Sequence, residues 1–574
     1  MNQFQVNLQQ FGDVSPIEKN VLDETRSLYI LYGLGDGRYL RKLVNLSCVK
    51  HVLVFEPSTQ LLASLEQQGR LKDLLNHPKV RLLSGSETDL YQRNIETYLM
   101  EEIDRYSFSG NFGTLMTPGA EKIPEYRPYF LKFAESLKNA INNVGVYAKF
   151  DPEDSLFGLS NFLKNLSGIN KAHPVDCLIG SAQGKDAVVV APGPSLQTVI
   201  PHLHKIRDKV ILISVDSAAR VLKENNLTPD IICALERSED IRSYVEISFD
   251  KQPYYCVPSI VHPHVWNVVQ DRSFIVHRDT GFDSWLYADR NRYFLGQTVS
   301  QLGLRVASIL GCRTIYMAGI DCAFDPESGQ SHHADASEQV QNAGEDVHNR
   351  KDFEVVEVTG YDGQPKKTYS IWMVDAQIIS GFALREGLNI KRLCPENYCY
   401  PIKGVERLDP ETLLSVDADD FDFSETILKR RQSTQLMPAD LKQESEKVIK
   451  HLMCLKKACY RQLEKTLEFS YEYHAGFPAH RPLYRDFFLE LESKRLESTK
   501  IEFNAYMGLL HNILQGEYAR VGYQIHATEM DANRDELGKI CNKIALYQRW
   551  FQLLAQTADR VSDMISYHLL GEKS

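Results

Sequence analysis

The chain has little of what marks the more specialised protein classes. Its 574 residues nowhere reach the ~18 consecutive apolar residues of a membrane span, so no stable membrane insertion is expected. The opening stretch, MNQFQVNLQQFGDVSPIEKN, lacks the basic start, apolar core and small-residue cleavage site of a secretory signal, and a cytoplasmic location is expected. Positive charge is not in excess: 65 Lys and Arg against 76 Asp and Glu leave a net charge of −11, which argues against a dedicated nucleic-acid binder. The eleven cysteines are scattered, and the close pairs, Cys394 with Cys399 and Cys454 with Cys459, have four residues between them, not the two of a redox or zinc-ribbon motif. Reduced thiols follow. No fixed-period repeat and no low-complexity tract is present.

What is there is ordinary globular composition, 43% apolar and 25% charged. A single core stops growing near ~250–300 residues, so two to four domains are expected. Residues 1–121 read as a Rossmann-like α/β domain: the apolar run Leu28 to Tyr32 ends at Gly33, Gly35 and Gly37, a helix follows, and Val52 to Phe55 ends in Glu56. That order serves either a nucleotide half-site, with the acid on ribose hydroxyls, or a scaffold without ligand. Residues 122–183 read as a helical linker. From Gly184 to 420, short β-branched runs (DAVVV, VILISV, DIICAL, YYCVPSI, SFIVH, TIYMAGI, NIKRLC) alternate with amphipathic stretches, which predicts a doubly wound, mostly parallel sheet covered on both faces. Residues 421–574 carry apolar positions at three- and four-residue steps and predict a helical domain. The fold class is α/β with a helical C-terminal end.

Candidate chemistry collects at the ends of the central strands, where open α/β sheets bind ligands. Gly193, Pro194 and Ser195 form a stiff turn after DAVVVAP, suited to backbone approach by a phosphate or, equally, to capping the next helix. The following strand ends in Asp216 and Ser217, the next in Glu236, and TIYMAGI ends in Asp321. Three acids at one register are more economically a site than three caps. Gly296, Gln297 and Thr298 precede a helix with Thr298 as N-cap and Gly311 as stop, and capping is favoured there over direct ligand contact.

APGPSL, ISVDSAARVLKENNLTPDIICALE, GQTVSQLGLRVASILGCRTIYMAGIDCAF and SHHADA together resemble the central domain of Maf (motility accessory factor) flagellin glycosyltransferases, over roughly Gly184 to Pro401. The same stretch is similar, more distantly, to Campylobacter-type sialyltransferases, through Gly193 to Leu196, Ile315 to Asp321 and Leu393 to Glu396. The resemblance implies transfer of a pseudaminic, legionaminic or related nonulosonic acid from a CMP-activated donor to Ser or Thr of flagellin. It implies no obligatory metal, although the acids leave room for Mg²⁺. Asp216 and Glu236 stand where the sialyltransferases have asparagines.

Such chemistry needs a base of pKa roughly 6 to 7 to take the acceptor proton, which a histidine supplies without tuning. His332 and His333, in the loop after Asp321, are the candidates, with His348 further along. The sialyltransferases carry their base nearer the segment matching Thr368 and Tyr369, where this chain has no histidine. Two alternatives stand beside this reading. One is an MptE-like 6-hydroxymethyl-dihydropterin diphosphokinase whose acids hold metal. The other is a non-catalytic factor binding flagellin through its helical end, for which the aromatic-rich stretch Leu467 to Phe488 is a candidate surface.

Overall fold

The computed structural model describes residues 28–46, 49, 51–67, 71–84, 112–117, 120, 123–124, 126–128, 151–269, 272–278, 282–287, 290–336, 355–416, 423–430, 441–474, 487–488, 490–491, 493–495, 505–530 and 535–571. His348 and 475–486 of the aromatic-rich stretch lie outside them. The chain divides into two compact units, Met1–Ser155 with Lys450–Ser562, and Leu156–Ile449 with Asp563–Ser574.

In the first unit, β1 (Leu28–Tyr32), β2 (His51–Glu56), β3 (Val80–Ser84) and β4 (Phe112–Met116) form a parallel sheet in the order β3-β2-β1-β4. β1 is buried along its whole length, as an unbroken apolar run on a sheet covered on both faces must be. The helical part of this unit comes from helix Ala505–Met530 and from the parts of helices Leu441–His474 and Glu536–Ile565 that lie within Lys450–Ser562. Trp550 and Tyr518 are fully buried there, with their rings edge to face at 5.4 Å.

The second unit holds β5 (His173–Pro174), β6 (Asp186–Val190), β7 (Ile211–Val215), β8 (Ile231–Cys233), β9 (Tyr254–Pro258), β10 (Ser273–Val276), β11 (Thr314–Ala318), β14 (Ile390–Leu393) and β15 (Glu406–Leu408). They pair in the order β15-β14-β11-β6-β7-β8-β9-β10-β5, and every pairing is parallel. A separate antiparallel hairpin joins β12 (Val355–Thr359) to β13 (Pro365–Tyr369). The doubly wound sheet expected from the sequence is therefore present. From β6 the chain winds outward through β7, β8, β9 and β10, then returns to the other side of β6 to lay down β11, β14 and β15. The switch point is the crevice between the carboxyl ends of β6 and β11, the position at which such sheets bind ligands.

Helix Leu196–Ile206 starts at that crevice and buries Leu196, Val199, Ile200, Leu203 and Ile206, a one-sided stripe at helical spacing. Helix Val299–Leu310 runs from Thr298 to Gly311, which is left-handed at φ +79°, as the sequence predicts.

Candidate active site

The Pro192–Ser195 turn and the Gly319–Asp321 segment face each other across the switch point and are stitched together. Ala191 N donates to the Ala318 carbonyl (2.9 Å) and Gly193 N to the Gly319 carbonyl (2.9 Å). Ser195 donates twice to Asp321, from its backbone N (2.7 Å) and from Oγ (2.5 Å). Ser195 is fully buried and Asp321 is 4% exposed. A Cβ on Gly193 would overlap the Gly319 carbonyl oxygen and come within 2.7 Å of Asp321 Oδ2.

This geometry corrects two expectations. Gly193 is required because its own protein occupies the space a side chain needs, and its N–H and that of Ser195 are already bonded within the fold. Asp321 is not a free carboxylate, because both oxygens accept from Ser195. Burial raises its pKa, opposed by the Ser195 bonds and by the charge of Arg392.

Asp216 and Glu236 differ from Asp321. Asp216, 5% exposed at the end of β7, accepts Ser217 N (2.7 Å). Burial pushes it from an ordinary 3.8 up to about 7, with the Glu236 charge adding to the rise. Glu236 ends the next strand and is exposed, its Oε1 accepting Arg237 N (2.7 Å) and Ser238 N (3.2 Å). Ser217 is half-buried beside them. Asp216 and Glu236 are thus brought together, while Asp321 is drawn into the turn. Among the described residues no group of three or more His, Cys, Asp or Glu side chains converges as a metal site.

The Gly296–Thr298 segment makes a capping box. Gln297 N (2.5 Å) and Thr298 N (3.2 Å) both donate to Gln301 Oε1, and Gly296 sits at φ +74° with Gln301 where its Cβ would be. These N–H groups are engaged in the cap and not available to a phosphate, so the donor-binding role also considered for the triplet is not served by them. The Gln297 amide nitrogen, buried without a partner, is the part of this triplet left to reach a ligand. Gln301 Nε2 in turn bonds Asp375, on Oδ1 (3.2 Å) and on the carbonyl (3.3 Å). Asp375 is buried and pushed up to about 7, first by burial. Sequence reading missed it. A single acid inside the apolar helix SIWMVDAQIISGFALR is the signal that points to it.

The histidines are not tuned as expected. Burial lowers His332 from 6.5 to about 4, and its ring lies edge to face with Trp372 at 6.5 Å, beside Phe324 and Tyr369. A base that weak is poorly matched to an alcohol at neutral pH. His333 donates its backbone N to the Pro192 carbonyl (2.7 Å), and its Nδ1 accepts Asp335 N (3.1 Å), so the basic nitrogen is engaged in shaping the loop. Cys322, following Asp321, takes a left-handed φ of +52°, uncommon for any side chain but glycine.

In the first unit the expected acid, Glu56, is fully buried. It accepts Leu34 N (2.8 Å), Ser58 N (2.8 Å) and the Tyr126 hydroxyl, and burial raises its pKa. Next to its strand end, the Thr117 hydroxyl donates to the Gly33 carbonyl, and Leu71 fills the space beside Gly37.

Among the described residues no helix is long and apolar enough to cross a membrane. Residues 160–327 match the profile of the family described as 6-hydroxymethylpterin diphosphokinase MptE-like. No curated protein matches the sequence. Among solved structures, the MAf glycosyltransferase from Magnetospirillum magneticum AMB-1 is similar to this chain with a TM-score of 0.60 at 15% identity, over 96% of this chain and 83% of that one. At that identity the likeness is one of fold, and it extends along both units.

Proposed function

We propose that the chain is a protein O-glycosyltransferase that moves a nonulosonic acid from a CMP-activated donor to Ser or Thr hydroxyls of flagellin. The observation that carries the reading is the likeness to a MAf glycosyltransferase along 96% of the chain. The donor lies beyond the carboxyl ends of β6, β7 and β8, with Glu236 and Ser217 toward its ribose. Asp321 and Ser195 act as positioning residues that fix the turn flooring the crevice. The acceptor oxygen attacks the anomeric carbon, the bond to the CMP phosphate oxygen breaks, and the hydroxyl proton passes to Asp216. With a pKa of about 7, Asp216 is about half ionised and basic enough for this at neutral pH, a match His332 lacks. No metal is required by this scheme. Were Mg²⁺ bound, Asp216 and Glu236 would hold it as carboxylates and it would supply charge neutralisation to the leaving phosphate, with Asp216 then no longer the base.

The MptE-like match over residues 160–327 favours a second reading, pyrophosphate transfer from ATP to a hydroxymethylpterin. One experiment separates the two. Purified protein, a verified CMP-nonulosonate and flagellin should yield free CMP and a flagellin heavier by one nonulosonate per modified site. No CMP release, with pterin diphosphate formed from ATP and Mg²⁺, would replace the first reading by the second. Neither product would leave the non-catalytic flagellin-binding factor.

A further inference from the structure

Helix Pro152–Ile169 lies in the stretch that the sequence presents as a linker, and one of its faces carries Gly158, Asn161, Asn165 and Gly168 at helical spacing. Both asparagines are buried, at 1% and 2% exposed. Asn161 Nδ2 donates to the carbonyls of Arg237 (2.9 Å) and Ile260 (3.3 Å), and one turn on Asn165 Nδ2 donates to those of Ser259 (3.0 Å) and Val261 (2.7 Å). The two amides clamp the segments that follow β8 and β9. The glycines let the helix lie this close: a Cβ on Gly158 would stand 3.4 Å from three atoms of the Arg237 guanidinium, and one on Gly168 would stand 2.8 Å from Trp266 Cβ.

The bonds continue through peptide planes to one atom. The Arg237 carbonyl held by Asn161 shares its peptide with Ser238 N, which donates to Glu236 Oε1 (3.2 Å). The Val261 carbonyl held by Asn165 shares its peptide with His262 N, which donates to the Glu236 carbonyl (3.0 Å). That carbonyl in turn shares its peptide with Arg237 N, the second donor to Glu236 Oε1 (2.7 Å). Two chains of hydrogen bonds thus start on neighbouring turns of one helix and meet on the carboxylate, each link polarising the next. An exposed carboxylate left to itself samples several rotamers, and one that grips ribose hydroxyls has to be held. We propose that Asn161 and Asn165 are positioning residues that aim Glu236 at the ribose of the nucleotide donor. The inference rests on the reading of Glu236 as a ribose contact.

Its test uses the whole chain and the ratio of two affinities, for CMP and for 2′,3′-dideoxy-CMP, which lacks both ribose hydroxyls. Loss of folded protein lowers both alike and leaves the ratio unchanged. The parent should prefer CMP by about tenfold or more, and Glu236→Ala should give the ratio with the contact removed. Asn161→Leu and Asn165→Leu should each fall to within about threefold of the Glu236→Ala ratio. Should a leucine variant not fold, serine at the same position, shorter and with one donor, reads the same ratio. Arg207→Met is the control: it removes bonds to the Thr228 carbonyl (2.8 Å) and Asp230 (2.9 Å) at the amino edge of the sheet, and should lower the thermal midpoint while keeping the parent ratio. A parent ratio retained in either asparagine variant, or lost equally in Arg207→Met, overturns the inference and leaves the donor site standing. A parent that does not bind CMP, or binds both compounds equally, removes Glu236 from the ribose and takes the underlying reading with it.

Discussion

The two parallel sheets carry the same sequence signature, a strand ending in glycines and a neighbouring strand ending in an acid, yet they treat that acid oppositely. Glu56 is sealed, with both oxygens taken by Leu34 N, Ser58 N and Tyr126, and the space beside the adjacent glycines is filled by Leu71 and Ala120. In the central sheet, Asp216 accepts only backbone N–H groups, from Ser217 and Leu235, and lies beside the Glu236 carboxylate, which faces solvent. Where the protein supplies every donor itself, the signature is architecture. Where a second carboxylate stands beside the buried acid at a solvent-facing strand end and the acid is pushed up to about 7, the strand end is left with chemistry to do. Asp321 sits between these cases, at the right register but used internally.

The largest effect should come from Gly193→Val. Its side chain has to displace the Gly319 carbonyl and Asp321, neither of which is a flexible tip, so about 1–3 kcal/mol of stability and all CMP binding are lost. Calorimetry with CMP and thermal melting check both. A variant that binds normally would detach the turn from the site.

Next come the two acids. Asp216 has a raised pKa, so its contribution to stability is present below pH 3.8 and lost as pH rises through about 7. Asp216→Asn should therefore be more stable than the parent by about 2–4 kcal/mol at pH 8, with the gain shrinking toward pH 4, while transfer is abolished. Glu56, also raised by burial, has the same sign of pH dependence, but Glu56→Gln adds a hydrogen-bond cost. It turns an amide NH₂ toward a donor, costs about 1–3 kcal/mol and leaves transfer by the folded fraction intact. Denaturant melts at several pH values with CMP release would show it. Loss of specific activity in the Glu56 variant would break the distinction between the sheets.

Much of this was legible in the sequence. The runs DAVVV, ILISV, IIC, YYCVP, SFIV, TIYMA and IKRL are the seven interior strands of the central sheet, because strands covered on both faces are predominantly apolar. Thr298 and Gly311 bound their helix as capping chemistry requires. Less visible were short edge strands such as His173–Pro174, and the hairpin around Tyr361-Asp362-Gly363, whose Asp-Gly turn lies between alternating residues. The site was legible as a register of acids. Which acid is free depends on hydrogen bonds across 126 residues of chain, as between Ser195 and Asp321, and no local pattern encodes that.

The smallest effect, and the one that bears most on mechanism, concerns the histidine pair. His332 is lowered to about 4, so the folded state resists its protonation. The stability this represents is present above 6.5 and lost as pH falls toward about 4. His332→Phe should flatten the acid limb of the melting curve between those values. If Asp216 is the base, CMP release at pH 7 should stay within about threefold of the parent, because the ring next to Trp372 contributes packing and not proton transfer. His333→Ala removes the acceptor of Asp335 N and should cost about 1 kcal/mol with a comparably small change in rate. A pH–rate profile of the double variant completes the test. An ionisation near 7 that persists in it and vanishes in Asp216→Asn assigns the base to Asp216. Abolished CMP release from a double variant that melts like the parent would return the base to the loop and make Asp216 a donor contact instead.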